Sequence, residues 1–425
     1  MPHSPAKATS RAVALLWIVS AVTQPAAANG FYVSTQSASA VGYATVGSAV
    51  LAEDAGVVFY NPAGMAALGR AQATAGSALL VPRIAMSNRG SALSDGTPVT
   101  GNDGGNPIGP TLIPYAHAAT PVLDGRLWLG FSVTAPFGLA SKYADGWFGR
   151  YDSQKAELRD IALMPGVAYA MADWLSVGAN LIVERASAEL TQAVHIAPGL
   201  DARSELKGDG WAYGVQVGVR VRLTPGTQLG LSYRSRMEHR LDGRARLSLP
   251  AMVLSDQPGR ASFGLPSILR AGVSHDVTDA LTLLGEVDWY GWRAFDALRV
   301  AQAGRPDAVT PYGYRNSFAL GLGARYRWSD DLVLRGGVQY IRTPTATPLR
   351  TTSNPDADTY GVGGGFGYAF SDRLSLDAAV NYVFAETVGI DLTRPTANPA
   401  APAASIRART ESGTWVGALG LRYTF

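Results

Sequence analysis

The chain has 425 residues, of which 47 % are hydrophobic and 16 % charged, with 48 glycines, 25 prolines and no cysteine. Glycine at about 11 % exceeds the usual ~7 %, and the charged fraction falls short of the usual quarter, a balance that favours a β-rich protein over a helical or disordered one. The net charge of +3 falls to near balance once Lys7 and Arg11 of the first thirty residues are set aside, so the basic pI does not argue for a nucleic-acid partner. The absence of cysteine excludes thiolate nucleophiles, disulfides and Cys-ligated metal sites.

In chain order, residues 1–28 come first. Lys7 and Arg11 precede the apolar run Ala12 to Val19, and Ala26-Ala27-Ala28 supplies a small-residue cleavage pattern. This is the pattern of a cleaved signal peptide, since the apolar run is about half of the ~20 residues a spanning helix needs. Residues 29–70 show no alternation and hold small residues, Gly42, Gly47 and Gly56 among them, closing on Tyr60-Asn61-Pro62-Ala63-Gly64. They predict an ordered N-terminal plug, with a helix-compatible stretch from Ala44 to Ala55 and a turn at Asn61-Pro62.

From residue 71 to 425 the pattern has a period of two. Trp211, Tyr213, Val215, Val217, Val219, Val221 and Leu223 alternate with Gly214, Gln216, Gly218, Arg220 and Arg222, and the same rhythm returns at 318–328 and 374–384. One face of each segment is dry, the other is small or polar, and several apolar series end in Tyr, Trp or Phe. Side chains that cross a hydrocarbon band and finish in an aromatic girdle give this arrangement.

Six short turns, such as Asp124-Gly125 and Ser371-Asp372, alternate with seven long polar connections near 88–109, 139–155, 190–206, 248–262, 298–310, 343–357 and 388–409. Thirteen connections need about fourteen strands. The predicted fold is all-β, a transmembrane antiparallel barrel of about 14 strands whose lumen holds the plug, with a closing strand that ends in Phe425. Closure is required because lipid cannot satisfy an open sheet edge.

At this point the residues carry a resemblance. Glu53-Asp54-Ala55-Gly56-Val57-Val58-Phe59-Tyr60-Asn61-Pro62-Ala63-Gly64, then Pro136-Phe137-Gly138-Leu139 followed by Trp147-Phe148-Gly149-Arg150-Tyr151, and Leu231-Ser232-Tyr233-Arg234-Ser235 resemble the FadL/TodX family of outer-membrane transporters. The resemblance implies passive uptake of long-chain fatty acids or related hydrophobic compounds in the Gram-negative outer membrane. It implies capture by extracellular loops, an apolar luminal pocket and a sideways exit at a kink in the third strand, faced by Asn61, Pro62 and Ala63 of the plug. Phe59 precedes that motif, and Gly138 is the kink position.

The residues support the kink independently. Pro136 lacks an N–H for the ladder and Gly138 tolerates positive φ, so pairing should fail around Pro136, Phe137 and Gly138. Leu139, Trp147, Phe148 and Tyr151, with Arg150 among them, suit an apolar chain with an anionic head, and suit equally a loop packed on the barrel rim. Arg325 and Arg327 fall on the luminal parity and suit either a carboxylate or a ladder with Glu286 and Asp288.

No catalytic constellation stands out. In Ser274-His275-Asp276 neighbouring strand side chains point to opposite faces, no G-x-S-x-G is present, and the five histidines lack an i, i+4 partner for a metal. No enzyme activity, cofactor or metal is expected. The expected partners are a hydrophobic small molecule, outer-membrane lipid and lipopolysaccharide, with the protein a monomer. Aromatic or alkane hydrocarbon uptake, a general aqueous porin and a lipid-acting barrel enzyme stand as alternatives.

Overall fold

The computed structural model describes residues 30–302, 306–394 and 403–425. The predicted signal peptide at 1–28 lies outside them. The strand segments form one sheet that closes on itself as a 14-strand antiparallel barrel.

In chain order the strands are β1 (Gln72–Asn88), β2 (Thr111–Val122), β3 (Leu127–Thr134 and Gly138–Lys142), β4 (Lys155–Ala172), β5 (Leu175–Ala197), β6 (Leu200–Thr224) and β7 (Thr227–Arg234 and Met237–Leu249). They continue as β8 (Met252–Leu265 and Ile268–Asp276), β9 (Leu281–Tyr290 and Ala297–Gln302), β10 (Ala308–Pro311 and Ser317–Arg327) and β11 (Leu332–Ile341). β12 (Thr359–Ala369), β13 (Leu374–Ala385 and Val388–Arg394) and β14 (Ala404–Thr424) complete the wall. Closure runs the whole length of β1 against β14, from Gln72↔Thr424 to Asn88↔Ala408.

The alternation has the polarity that the sequence predicts. Tyr213, Val215 and Val217 on β6 are exposed on the outer face while Gln216 between them is buried in the lumen. Likewise Val380 and Phe384 face outward on β13, and Asp377 and Asn381 face inward. Trp328, Trp415, Tyr423 and Phe425 supply aromatic ends on the outer face.

Four of the expected long connections are largely strand, 388–409 among them, where Val388–Arg394 of β13 pairs with β14 from Ala404 on. β5 and β6 run on to a tight turn at Pro198-Gly199, where Gly199 has φ +75°, β7 and β8 meet between Leu249 and Met252, and β9 and β10 continue through much of 297–311. Part of the polar composition that suggests loops is cross-strand charge pairing, Arg244 with Asp256 at 2.8 Å and Arg260 with Asp242 at 2.7 Å.

Residues 30–70 pack inside this wall as two short α-helices, Ala38–Gly42 and Val57–Tyr60, and a 3-10 helix, Pro62–Ala67. The helix-compatible stretch from Ala44 to Ala55 is a series of turns, because Ala44 (φ 53°) and Thr45 (φ 68°) take left-handed conformations that end the first helix. With so little internal ladder, the plug leaves many backbone groups to be satisfied from the wall. Asn180 donates to Val58 O at 2.5 Å, Gln216 to Phe59 O at 2.9 Å and Tyr60 O at 3.0 Å, Ser176 to Ala63 O at 3.0 Å, and Arg220 to Val50 O at 2.9 Å.

Wall glycines make room for this close approach. A Cβ at Gly230 would overlap the Ala49 carbonyl, one at Gly337 the Tyr43 carbonyl, and one at Gly218 the Asn61 side chain. The glycine-rich run of β12 has the same use, since a Cβ at Gly363 would lie 2.6 Å from Ala44 N.

Candidate functional site

The third strand is interrupted as the sequence predicts. Its lower segment pairs with β4 up to Thr134↔Ala162, and its upper segment resumes at Gly138↔Arg159. On the other side, β2 and β3 pair only as far as Ala116↔Val133. Above that level β1 is the strand partner of Thr111 to Tyr115 and β4 the strand partner of Gly138 to Lys142, so the described pairings leave a gap between β2 and β3.

The cause of the break differs in part from the expectation. Pro136 has no N–H to give, but Gly138 is not among the positive-φ glycines. What holds the interruption is the plug. Gln36 Nε2 donates to Ala135 O at 2.8 Å and its Oε1 accepts from Ala135 N at 3.2 Å. Val33 N donates to Pro136 O at 2.8 Å, and Gly138 N to Phe31 O at 3.0 Å. Sequence reasoning missed Gln36, which takes both backbone groups of Ala135; a lone Gln in a Ser/Thr-rich stretch carries no local signal.

Asn61, Pro62 and Ala63 do not face this break. Asn61 Oδ1 accepts from Ala63 N at 3.1 Å while its Nδ2 donates to Ala49 O at 2.6 Å and Val219 O at 3.2 Å. A Cβ at Gly178 on β5 would meet Ala63 N and the Pro62 carbonyl carbon at 2.5 Å, so the turn is seated on β5 and β6. An Asn-Pro turn with all its polar groups used locally and on the wall is a seat for the plug. The partners of Phe137 and Gly138 are Phe31 and Tyr32 instead.

Phe137 is completely buried and begins an apolar path. Phe31, Trp292, Phe295 and Tyr314 form edge-on pairs around it, with Phe31 4.9 Å from Trp292 and 5.1 Å from Phe295. Phe59, Tyr60, Leu158, Ile182, Leu241 and Phe263 belong to the same buried cluster, against which Leu139 packs. The path leads to a small cavity of about 70 Å³, lined by Leu139, Leu158, Leu190, Leu206, Leu241 and Phe263, with Glu157 and Lys207 at its edge. That is less than half of the ~150 Å³ that accommodates benzene, so the leucine and aromatic side chains around it close most of the space.

The other loop aromatics are placed elsewhere, in the rim packing that their composition suits equally, and not against the cavity. Trp147 and Phe148 are completely buried, in a cluster with Ile84, Met86, Ile108 and Ile406 that packs the loop onto the rim. Tyr143 stacks on Trp147 at 3.7 Å, and Trp147 Nε1 donates to Ser153 O at 2.8 Å. Arg150 bonds Asp201 at 3.1 Å, and Tyr151 donates to the same carboxylate at 2.9 Å. Their apolar area and charge are used in holding the loop down, leaving Leu139 as the member of that group that reaches the cavity.

Two lumen arginines share one plug acid. Arg325 and Arg335 both bind the plug carboxylate Glu53 at 2.9 Å, and Arg335 also reaches Asp377 at 2.7 Å. Glu286 accepts from Ser48 Oγ at 2.6 Å and Ala49 N at 2.9 Å, again tying wall to plug. Burial would push the Glu53 carboxyl up, but the charges of Arg335 and Arg325 and the Tyr43 hydroxyl outweigh it and hold Glu53 below its ordinary range. The same contest, won by Ser39 and the charges of Arg422 and His117, lowers Asp54. Ser274-His275-Asp276 is no triad: Ser274 is buried, whereas the exposed His275 meets Thr227 Oγ1 at 2.9 Å.

A much larger concavity, about 1090 Å³, lies among the outward residues Leu229, Leu231, Val287, Leu320 and Leu322. It is a depression of the lipid-facing wall, beside the glycines at which the wall approaches the plug.

The family model described as outer membrane protein transport protein (OMPP1/FadL/TodX) matches residues 19–425. A long-chain fatty acid transport protein from Escherichia coli O6:H1 is 26 % identical over 413 residues, covering 88 % of this chain and 91 % of that protein. Outer membrane protein P1 of Haemophilus influenzae is 26 % identical over 398 residues, covering 84 % of this chain and 86 % of its own length. Among solved structures, a FadL homologue of Pseudomonas aeruginosa superposes with a TM-score of 0.88 at 24 % identity, over 93 % of this chain and all of that one. The toluene transporter TodX of Pseudomonas putida gives 0.73 at 17 % identity, over 93 % of this chain and 100 % of that one. Barrel, signature and relatives agree, and the chain belongs to the OMPP1/FadL/TodX family of outer-membrane transport proteins.

Proposed function

We propose that this protein takes up long-chain fatty acids or related hydrophobic compounds from outside the cell and releases them sideways into the outer membrane. The observation that carries this reading is the buried, mostly apolar cluster that joins the cavity beside Leu139 and Leu241 to Phe137 at the gap in β3. A plug hydrogen-bonded to the wall closes the axial route beneath it. A hydrocarbon chain gains ~0.8 kcal/mol for each CH₂ kept out of water, so a dry path with a lateral exit spares it an aqueous crossing.

In this scheme the extended β5–β6 hairpin and the rim loops deliver the compound to the cavity mouth near Lys207 and Glu157. Leu139, Leu158 and Phe263 receive its chain, and displacement of Phe137 opens the exit. The names of the fatty acid and toluene transporters among its relatives supply the two candidate substrate classes.

The test is saturable uptake of a radiolabelled long-chain fatty acid by cells expressing the chain, with toluene as competitor, alongside sugar-driven swelling of proteoliposomes. Uptake without swelling is expected, and Leu241→Trp, which fills the cavity, should reduce it. Brisk swelling would instead identify an aqueous pore and overturn the reading.

A further inference from the structure

Beside the break in β3 the lumen wall carries a group of ionisable side chains that passage of a hydrophobic compound does not use. Asp160 on β4, Glu184 on β5 and His239 on β7 each offer one donor atom, and these atoms lie within 4.8 Å of one another. The side chains are completely buried. Asp160 falls in the stretch of β4 between Arg159 and Ala162 where β3 provides no ladder partner.

The bonding is incomplete in a directed way. Apart from a hydrogen bond between the Asp160 and Glu184 carboxyl groups, no partner reaches the Asp160 oxygens, Glu184 Oε2 or either ring nitrogen of His239. His239 Nε2 stands 3.5 Å from Glu184 Oε2, and its ring is stacked on Phe263 at 5.3 Å. Glu184 Oε1 is taken by the Arg234 guanidinium, which lies over the Phe137 ring at 5.6 Å. The surroundings are otherwise apolar, with Ala162, Ile182, Met237 and Leu241 in the same cluster. Unpartnered polar groups in such a place are costly.

Two carboxylates against one guanidinium leave a negative charge. One proton shared by Asp160 and Glu184 would cancel it but would leave His239 Nδ1 without a partner and Nε2 only a long contact of 3.5 Å to Glu184 Oε2. A divalent cation engages Asp160, Glu184 Oε2 and His239 together. It would also keep Arg234 on the outer oxygen of Glu184, the kind of outer partner that orients a metal ligand.

Imidazole with two carboxylates suits zinc and its transition-metal neighbours better than magnesium or calcium, and three protein ligands leave an open position. Zinc bonds of ~2.0–2.2 Å need donors roughly 3.4 Å apart, within reach of small side-chain rotations here. We propose that Asp160, Glu184 and His239 form a binding site for one divalent transition-metal ion, zinc by its donor set, where the third strand is interrupted. The ion ties β4, β5 and β7 together at the level of the gap. This differs from the expectation drawn from histidine spacing, because the ligands come from three separate strands.

The test uses the full chain refolded in detergent, treated with chelator, loaded with zinc and desalted before metal analysis. About one zinc per chain is expected, and cobalt in its place should give visible bands of a nitrogen and oxygen ligand set. Asp160→Asn and His239→Gln preserve volume. Each should lower zinc affinity by more than the roughly 10–100-fold that loss of an outer partner costs, while His195→Gln leaves it unchanged.

Heat-modifiable electrophoretic mobility verifies barrel assembly in each variant. Absence of stoichiometric zinc from the wild-type chain, or full stoichiometry in an assembled Asp160→Asn, His239→Gln double variant, overturns the site and leaves a shared proton as the occupant. If the variants do not assemble, X-ray absorption of the zinc-loaded wild type decides: one imidazole in the shell supports the site, and an all-oxygen shell overturns it.

Discussion

Tyr32 of the plug and Phe137 of the third strand form an antiparallel bridge with their rings 5.3 Å apart. The plug thus supplies the backbone partner that the interrupted strand lacks, and the ring of Phe137 fills the space behind the gap. Replacing that ring opens the space. Phe137→Ala should destabilise the protein by about 3–5 kcal/mol, the usual range for a buried Phe→Ala, and should speed release of a hydrophobic fluorescent probe into surrounding lipid. Gly138→Val should act oppositely, crowding the gap and slowing uptake while the barrel still assembles. Probe release unchanged in both would remove this gap from the route.

Glu53 joins the plug to two wall arginines at 2.9 Å each. Glu53→Gln leaves Arg335 with Asp377 and strips the partly exposed Arg325 of its carboxylate partner, which loosens the attachment by less than the loss of a fully buried pair would. Faster hydrogen exchange of plug amides between Ala38 and Tyr60 is expected, with barrel strands protected as before. Deletion of residues 31–64 is the extreme case and should leave a pore of higher conductance in planar bilayers.

Acid should loosen the same attachment. Burial raises the Glu53 and Asp54 carboxyls, but arginine charges and hydroxyl hydrogen bonds prevail and both sit below their ordinary values of 4.5 and 3.8. The docked plug therefore binds fewer protons than the released plug, so their contribution is complete above about pH 5 and is lost as pH falls through and below about 4. Channel conductance recorded from pH 7 to 3 should rise at the acid end. Glu53→Gln should reduce that pH dependence.

Gly337 tests the close seat of the plug. A Cβ there would overlap the Tyr43 carbonyl, which is backbone and cannot turn aside. Gly337→Val should yield a barrel of normal heat-modifiability whose plug is cut by protease at residues protected in the wild type. Gly417, around which a Cβ meets nothing within 4 Å, is the control; Gly417→Ala should leave cleavage unchanged.

The β5–β6 hairpin shows where reading the chain alone loses resolution. Residues 190–206 are polar enough to look like a loop, yet they are strand, because above the lipid band the outer face no longer has to be apolar and Glu189 and Lys207 can sit opposite each other. Within the band the constraint is strict, and there the parity of Val215, Gln216 and Val217 predicts outside and inside correctly.

The sequence by itself determined the barrel, its strand number, its outward and luminal faces and the break at Pro136, because each follows from a period of two, turn chemistry or a missing N–H within a few residues. The tertiary structure alone decided what meets across the lumen. It seats Asn61 on β5 and β6, draws Tyr32 to Phe137, buries Trp147 in the rim and gathers Asp160, Glu184 and His239 from three strands. Such contacts depend on register, closure and the path of the plug, and residues that are far apart in the chain carry no local mark of where those place them.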